Sequence, residues 1–226
     1  MRKTLLTAAT AALALMTGYA APSHAGLILK LSDGTPADTV TITDLGNTGE
    51  AQFNSPLGIF STNATTAFGA PILGALNQPI IDLLSFDVAN RSSSGGILTI
   101  AETFTGFSGS GAVAQFLNSI GGTLNNGSMT INTYMDCGNT AFGQGTSLTS
   151  QSFGAGAFSG SASKEQSTCG GSYSLTQVET INLAAGGFYS GDSTLQVPEP
   201  STLATFGAAL VFLFGFGWLR RHGTMV

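Results

Sequence analysis

Charged residues are scarce in this sequence, and basic residues are the scarcest. Only 8% of the 226 residues are Asp, Glu, Lys or Arg. Between Gly26 and Val197, three basic residues stand against eleven acidic ones, so this part carries a net charge of −8, compared with −5 for the whole chain. An acidic surface repels phosphate groups. We therefore expect no nucleic acid among the partners and no electrostatic attraction to anionic lipid.

Histidine is missing from the same central part. The two histidines, His24 and His222, lie in terminal segments that we expect to be removed. Without imidazole, a Ser-His-Asp or Cys-His arrangement cannot be built. A hydrolase would then need paired carboxylates, and the candidates are Asp82 with Asp87, Glu102 with Glu179, and Asp136 with a distant partner. Eleven scattered acidic residues are more simply explained as a solvated surface. We therefore predict that the protein is not an enzyme, and we assign no catalytic residue.

Cysteine occurs only at positions 137 and 169. In an exported chain two cysteines most simply form one disulfide, and we predict a Cys137–Cys169 bond. A metal-binding thiol pair is the alternative, but it lacks a nearby histidine or a second pair. Calcium needs only oxygen ligands, which Asp33, Asp136 with Asn139, or Asp192 would offer. None of these forms a repeated metal motif, so we predict no cofactor and assign no metal site.

The chain begins with the three parts of a secretory signal peptide. Arg2 and Lys3 precede an apolar run from Leu5 to Met16, and Ser23 and Ala25 are small residues at the positions that a signal peptidase inspects. We predict a signal peptide over residues 1–25, cut after Ala25. A buried N-terminal helix is the alternative, and the well-placed cleavage signal argues against it.

The other end carries a second apolar segment. Seventeen uncharged residues run from Leu203 to Leu219, and Arg220 and Arg221 follow at once. As a helix this segment would be about 25 Å long, enough to span a bilayer with local thinning. The positive-inside rule leaves the arginines in the cytoplasm. We predict a proline-containing stalk over 192–202, a transmembrane helix over 203–219 and a cytoplasmic basic tail over 220–226.

Residues 26–191 alternate between apolar and polar side chains. "LILKLSDG", "DTVTITD", "GGILTIAETF" and "SYSLTQVETINL" have the period of two that is typical of half-buried strands, with Gly, Asn and Asp at the turns. This predicts an all-β ectodomain, an antiparallel β-sandwich of jelly-roll-like form. Val113, Phe116, Leu117 and Ile120 have helical spacing and predict a short helix that ends at Gly121. Dense glycine and serine over 138–171 predict long loops.

The last thirty residues resemble a known sorting signal. "VPEPST", the apolar run and the two arginines are similar to the PEP-CTERM signal of Gram-negative bacteria. In that family the signal residues correspond here to Pro198, Glu199, Pro200, Arg220 and Arg221. The resemblance implies that an exosortase, a membrane enzyme, recognises the Pro-Glu-Pro motif and releases or transfers the protein in an exopolysaccharide and biofilm setting. "LKLSDG", "GILTIAETFTGFS" and "YSLTQVETINLAAGG" also resemble recurrent stretches of β-rich PEP-CTERM ectodomains.

These observations lead to one main functional hypothesis and two alternatives. The main hypothesis is a non-enzymatic surface or matrix protein that is exported through a Sec-type signal peptide and held briefly in the inner membrane. Signal peptidase and an exosortase would process it, and exopolysaccharide would be a further partner. The first alternative is a carbohydrate-binding module that stacks sugars on aromatic rings, the candidates being Phe107, Tyr134, Phe142, Tyr173 and Tyr189. The second is a matrix-modifying hydrolase that uses Glu102 or Glu179.

Overall fold

Eleven strands, all paired antiparallel, make up the part of the chain that the computed structural model describes, residues 26–63 and 65–198. They are β1 (Gly26–Ser32), β2 (Thr39–Thr43), β3 (Glu50–Phe53), β4 (Phe60–Asn63), β5 (Thr65–Phe68), β6 (Ile80–Asn90), β7 (Gly96–Ser108), β8 (Val113–Asp136), β9 (Thr146–Phe153), β10 (Gly156–Ser167) and β11 (Ser172–Gln196). The predicted antiparallel all-β class is confirmed.

Two strands, β8 and β11, are far longer than the others, with 24 and 25 residues. A straight strand of that length would extend about 80 Å, whereas a compact domain of this size has a radius of gyration of about 16 Å. The pair therefore has to bend. It does so where the register shifts between Leu183 and Phe188, since residues 184–187 of β11 lie opposite Asn126 alone. Asn126 and Gly186 adopt positive φ angles of 51° and 66° at this corner.

The corner divides the sheet into two halves that share β8 and β11. The first half has the order β2-β1-β7-β11-β8-β9, and the second has the order β3-β5-β6-β11-β8-β10, with β4 also paired to β6. Side chains join the halves across the interior: Gln177 Nε2 donates to Ser193 O at 3.3 Å, and the Phe153 and Phe158 rings stack 4.6 Å apart. The fold is thus a sandwich made by one sheet bent onto itself.

The core follows from the alternation in the sequence. Leu27, Leu29 and Leu31 of β1 are all fully buried, while Lys30 between them is exposed. Phe104 and Phe107 of β7 stack with ring centroids 4.6 Å apart. Each such side chain contributes about 1.5–3 kcal/mol when it is removed from water.

The short helix predicted around Val113–Ile120 is wrong, because these residues are the start of β8. Phe116 and Ile120 are buried and Val113 is exposed. A separation of four residues brings two side chains to one face of a helix and also to one face of a strand. The spacing alone could not separate the two, and pairing with β10 and β11 on both sides fixes the strand.

The long loops predicted over 138–171 are also wrong for most of their length. β9 and β10 occupy this region and form the two outer edges beside β8. Small residues are needed where β10 faces β9, since a Cβ on Gly160 would lie 2.7 Å from the Phe153 ring. The glycine and serine content thus reflects close packing between strands.

The predicted stalk over 192–202 needs correction in its described part. Residues 192–196 belong to β11, and Leu195 is fully buried. The next residue is still attached to the body, because Val197 N–H donates to Pro79 O at 3.0 Å. The strand propensity of "STLQV" and its pairing with β6 and β8 outweigh the nearby prolines.

Both terminal predictions lie outside the described residues. This applies to the signal peptide with Ser23 and Ala25, to the segment 203–219, and to Glu199, Pro200, Arg220 and Arg221 of the sorting signal. Over the ranges that are described, no helix has the length and apolar character to cross a membrane.

The predicted disulfide is present and joins Cys137 to Cys169, with their Cα atoms 5.4 Å apart. It links the loop after β8 to the loop before β11. Cys169 is buried against the core, so the bond fixes the loop of residues 137–145 to the body.

Replacing both cysteines, Cys137→Ser with Cys169→Ser, should lower the free energy of unfolding by about 3–4 kcal/mol. The reason is the lost constraint on the unfolded chain across a sequence separation of 32. Urea denaturation followed by circular dichroism measures this change, with the chemically reduced wild type as the control. A loss below about 1 kcal/mol would contradict the prediction.

Candidate functional site

A cluster of buried polar side chains lies between the two halves of the sandwich. Gln177 Nε2 donates to Glu102 Oε2 at 2.8 Å, so the two are neighbours on β7 and β11. From the opposite half, Ser193 Oγ donates to Glu179 Oε1 at 2.6 Å and Tyr189 OH donates to Oε2 at 3.1 Å. Each of these five residues is at most 1% exposed. We call them the buried polar cluster.

Burial sets the protonation of this cluster. Removal from water raises the pKa of Glu179 to about 7 and raises that of Glu102 well above its ordinary range. The hydrogen bonds to these carboxyls work in the opposite direction but are outweighed. Glu102 Oε1 and Gln177 Oε1 are buried acceptors without a hydrogen-bond partner. When Glu102 is protonated, one of its carboxyl oxygens becomes a hydroxyl donor. The neutral form therefore leaves one fewer buried acceptor without a partner.

The carboxyl pair considered for catalysis therefore meets in the interior. Glu102 and Glu179 do lie in one cluster, but their exposed fractions are 0% and 1%, so a polymer cannot reach them. The other acids serve local structure. Asp82 accepts from Thr194 Oγ1 at 2.7 Å, and Asp136 accepts from the amides of the loop that follows it. Asp87 is exposed and lies five positions after Asp82 on β6.

Stability should fall as the pH rises from about 4.5 to 7. Over this interval the folded protein keeps a proton on Glu179 that the unfolded chain releases, since the folded pKa is raised from 4.5 to about 7. Three aspartates have lowered pKa values, and these change the stability only at pH values below this interval, so they do not oppose the loss. They are Asp33, Asp44 and Asp136.

Thermal denaturation at pH 5 and pH 8 checks this expectation, and Glu179→Gln should reduce the difference in melting temperature. The single shift corresponds to about 3 kcal/mol. Glu165→Gln, on exposed β10, is the matched control. A wild type that is more stable at pH 8 than at pH 5 would contradict the assignment.

A groove on the outer face of the first half is a candidate for binding. It has a volume of about 310 Å³ and lies between the sheet and the loop of residues 137–145. The sheet places the side chains of neighbouring strands in a row, because Lys30 of β1 lies opposite Ala101 of β7, which lies opposite Val178 of β11. We call it the Phe142 groove, and its lining residues are Lys30, Ser32, Thr99, Ala101, Phe142, Gln144 and Val178.

Several contacts hold the loop in place above the sheet. Asn139 Oδ1 accepts from Gly106 N at 2.7 Å, and Thr140 O accepts from Ser174 Oγ at 2.7 Å, which ties the loop to β7 and β11. Its beginning is held by Asp136, whose carboxylate accepts from Thr140 N at 3.0 Å. These amide donors lower the pKa of Asp136.

Phe142 takes an uncommon backbone conformation at the tip of this loop. Its φ is 58°, a region that bulky residues rarely occupy and that costs free energy. Gly143 follows it, where a Cβ would lie 2.5–2.7 Å from the Asp136 carboxyl. The ring is half-buried, with Lys30 Nζ 5.8 Å from its centroid. The loop thus presents an aromatic ring beside a cation.

The structure separates the five aromatic candidates for sugar binding. Phe107, Tyr173 and Tyr189 are core residues, each at most 1% exposed. Tyr134 and Phe142 are half-buried, and of the five only Phe142 lines the groove. Sequence reasoning missed the groove's other residues. The alternation in "LILKL" does place Lys30 outward, but its proximity to Phe142 depends on a loop that folds back over the sheet.

The acidic loops considered for calcium are explained by turns. Asp33 Oδ1 accepts from Thr35 N at 2.9 Å and Thr35 Oγ1 at 2.8 Å, and Asp136 caps its own loop in the same way. Within residues 26–63 and 65–198, no three acidic, histidine or cysteine side chains are grouped so that they could hold a metal ion.

A second groove lies where the chain leaves the body. Its volume is about 280 Å³, and its walls carry no charged side chain. Val197 and Pro198 line it together with Pro79, Val113 and Tyr173. The Pro-Glu-Pro motif therefore starts directly at the surface of the sandwich.

Comparison with known protein families gives a match in the segment where the chain leaves the body. The family model of the PEP-CTERM protein-sorting motif matches residues 196–221. No curated protein matches the chain.

Three solved structures are similar at low identity. A tailspike protein domain of bacteriophage CBA120 is 10% identical with a TM-score of 0.33; the match covers 60% of this chain and 19% of that one, about a fifth of its length. The cleaved adhesin domain of Lys-gingipain from Porphyromonas gingivalis is 11% identical over 67% of this chain and 98% of that one, with a TM-score of 0.33. A family 22 carbohydrate-binding module from Clostridium thermocellum is 11% identical over 68% and 94%, with a TM-score of 0.31. Similarity at this level assigns neither fold family nor ligand.

Proposed function

We propose that this chain, which carries the PEP-CTERM protein-sorting motif at residues 196–221, is an exported surface or matrix protein without catalytic activity. In this proposal a signal peptidase removes residues 1–25, and an exosortase processes the C-terminal signal. The released or transferred ectodomain then acts at the cell surface or in the extracellular matrix of a Gram-negative bacterium, by adhesion or by association with exopolysaccharide.

One observation carries the proposal, namely the motif at residues 196–221 directly after the last strand of the body. The hydrophobic core consists of residues within 27–195, with Val197 packed against it. Every core side chain that the structure describes therefore lies before the segment that follows Pro198. A body whose described core precedes the sorting signal suits a protein with a disposable membrane anchor.

The non-catalytic role is supported by where the acids lie. Glu102 and Glu179 are sealed in the core. The half-buried carboxyl groups of Asp33 and Asp38 both accept from Thr35 Oγ1 within a turn. The exposed strands carry mainly Ser, Thr, Gly and Asn, which offer hydroxyl and amide groups to a hydrated polymer. β10 is an example, since "GAFSGSASKEQS" has no buried side chain, and exposed and half-buried positions alternate from Ala157 to Ser163.

The short connection between body and signal limits how an exosortase can reach its motif. β11 is paired on both sides up to Gln196, and Val197 is hydrogen-bonded to Pro79. Only residues 198–202 then separate the body from the apolar run, about 17 Å when fully extended. The enzyme must accept the motif with the exit end of the sandwich close to the membrane, and the cut should leave a C-terminus within residues 198–202.

Mass spectrometry of the exported protein tests the proposal. In cells with an active exosortase, the mature form should begin at Gly26 and end between Pro198 and Thr202. In cells without that enzyme the apolar segment should stay attached and the protein should remain in the membrane fraction. A full-length C-terminus outside exosortase-competent cells would refute the sorting role.

The length of the connection should control processing. Deleting Ser201 and Thr202 should slow the release of the ectodomain several-fold, because the body would then collide with the membrane or the enzyme. A flexible Gly-Ser spacer of about six residues inserted after Val197 should leave release at least as fast as in the wild type. Pulse-chase measurement of the precursor and mature forms distinguishes the two, and equal rates in both variants would contradict this constraint.

A further inference from the structure

The Phe142 groove suggests a ligand for the ectodomain. We propose that it binds an acidic sugar residue of a polysaccharide, with the Phe142 ring against the C–H face of the sugar and Lys30 paired with its carboxylate. This inference rests on the proposed function, because it specifies what the exported body would hold in the matrix.

The aromatic side of the argument is the position of Phe142. An aromatic ring that only filled the core would not need a loop in a left-handed backbone conformation at the protein surface. Here a φ of 58° is maintained by bonds to Asn139 and Thr140 and by the Cys137–Cys169 disulfide. These contacts hold the loop that carries the ring, so that less backbone entropy is lost when a ligand binds. Sugars present a C–H face that packs on such rings.

The charge of the groove indicates an acidic ligand. Lys30 is one of three basic residues between Gly26 and Val197, and the groove lining contains no Asp or Glu. Among the described residues its ammonium forms no ion pair, and its contact is with the Phe142 ring at 5.8 Å. A cation beside an aromatic ring, in an otherwise acidic body, gives one local site where a carboxylate is attracted.

The remaining lining residues suit a sugar more than a peptide or a lipid. Ser32, Thr99 and Gln144 place hydroxyl and amide groups on the rim, while Ala101 and Val178 form an apolar floor. The groove opens along the sheet face and has a volume of about 310 Å³, the lower end of the range for ligand sites. This is room for one sugar unit, with the rest of the polymer extending over the exposed threonines of β2.

Affinity gel electrophoresis with two polymers tests the proposal. Polygalacturonate and galactan are the probes, because their sugar units differ in the carboxylate. The full chain, with its disulfide intact and held in mild detergent, should be retarded by polygalacturonate and much less by galactan. Raising the salt from about 0.05 M to about 0.5 M should weaken the retardation.

Variants assign the effect to the groove. Phe142→Ala should weaken binding about tenfold, and Phe142→Tyr should restore it. Lys30→Gln should weaken binding to polygalacturonate about fivefold and remove most of its salt dependence. The matched controls are Phe188→Ala, an exposed ring on β11, and Lys164→Gln, an exposed lysine on β10. Both should bind as the wild type does.

Three outcomes would overturn the inference: no binding of either polymer, equal binding of both, or equal losses in the groove variants and their controls. If Phe142→Ala changed only the melting temperature, the ring would be a structural cover for the sheet and the inference would fail. None of these results bears on the sorting role, which is decided separately by the C-terminus of the exported protein.

Discussion

The pairing of β8 with β11 is the interaction on which the rest of the structure depends. These strands run side by side from Ser174 opposite Asp136 to Gln196 opposite Leu117, and both turn the same corner. Every other described strand is connected to this pair directly or through one or two intervening strands. Because the partners are far apart in sequence, the loop between them must be closed at an entropic cost. The Cys137–Cys169 bond joins the ends of that loop where the strands begin to pair.

Bending one sheet onto itself also explains the buried polar cluster. The alternation that directs Leu29 inward directs Glu102 and Gln177 inward as well, since the three lie in one cross-strand row. Two carboxyls in a core without a cation are tolerated only when they are neutral or well hydrogen-bonded. Glu179 meets this need through Ser193 and Tyr189 of the opposite half. The cluster therefore links the two halves by hydrogen bonds, and it costs stability as the pH rises from about 4.5 to 7.

Sequence reasoning succeeded where the pattern was local. The alternation in "LILKL" and "SYSLTQVETINL" predicted strands, and two cysteines in an exported chain predicted the disulfide. It failed at Phe116 and Ile120, whose separation suits both helix and strand, and in the region of Gly160, where composition favoured loops. The Phe142 groove could not be predicted, because Lys30 and Phe142 lie more than one hundred positions apart. Only the register of β1, β7 and β11, with the loop folded over them, brings the two together.

The same architecture brings the exit of the chain back to the side on which β11 begins. Tyr173, the second residue of β11, and Val197, the residue after its end, line one groove. The corner at residues 184–187 makes this possible, because the two parts of the strand run back over each other. The loop of residues 137–145 is tied to the same side through the Cys137–Cys169 disulfide, since Thr168 also lines the exit groove. With the exit held near the membrane before processing, the beginning of this loop would lie close to the lipid, so that release of the anchor would widen the access of a polymer to the Phe142 groove.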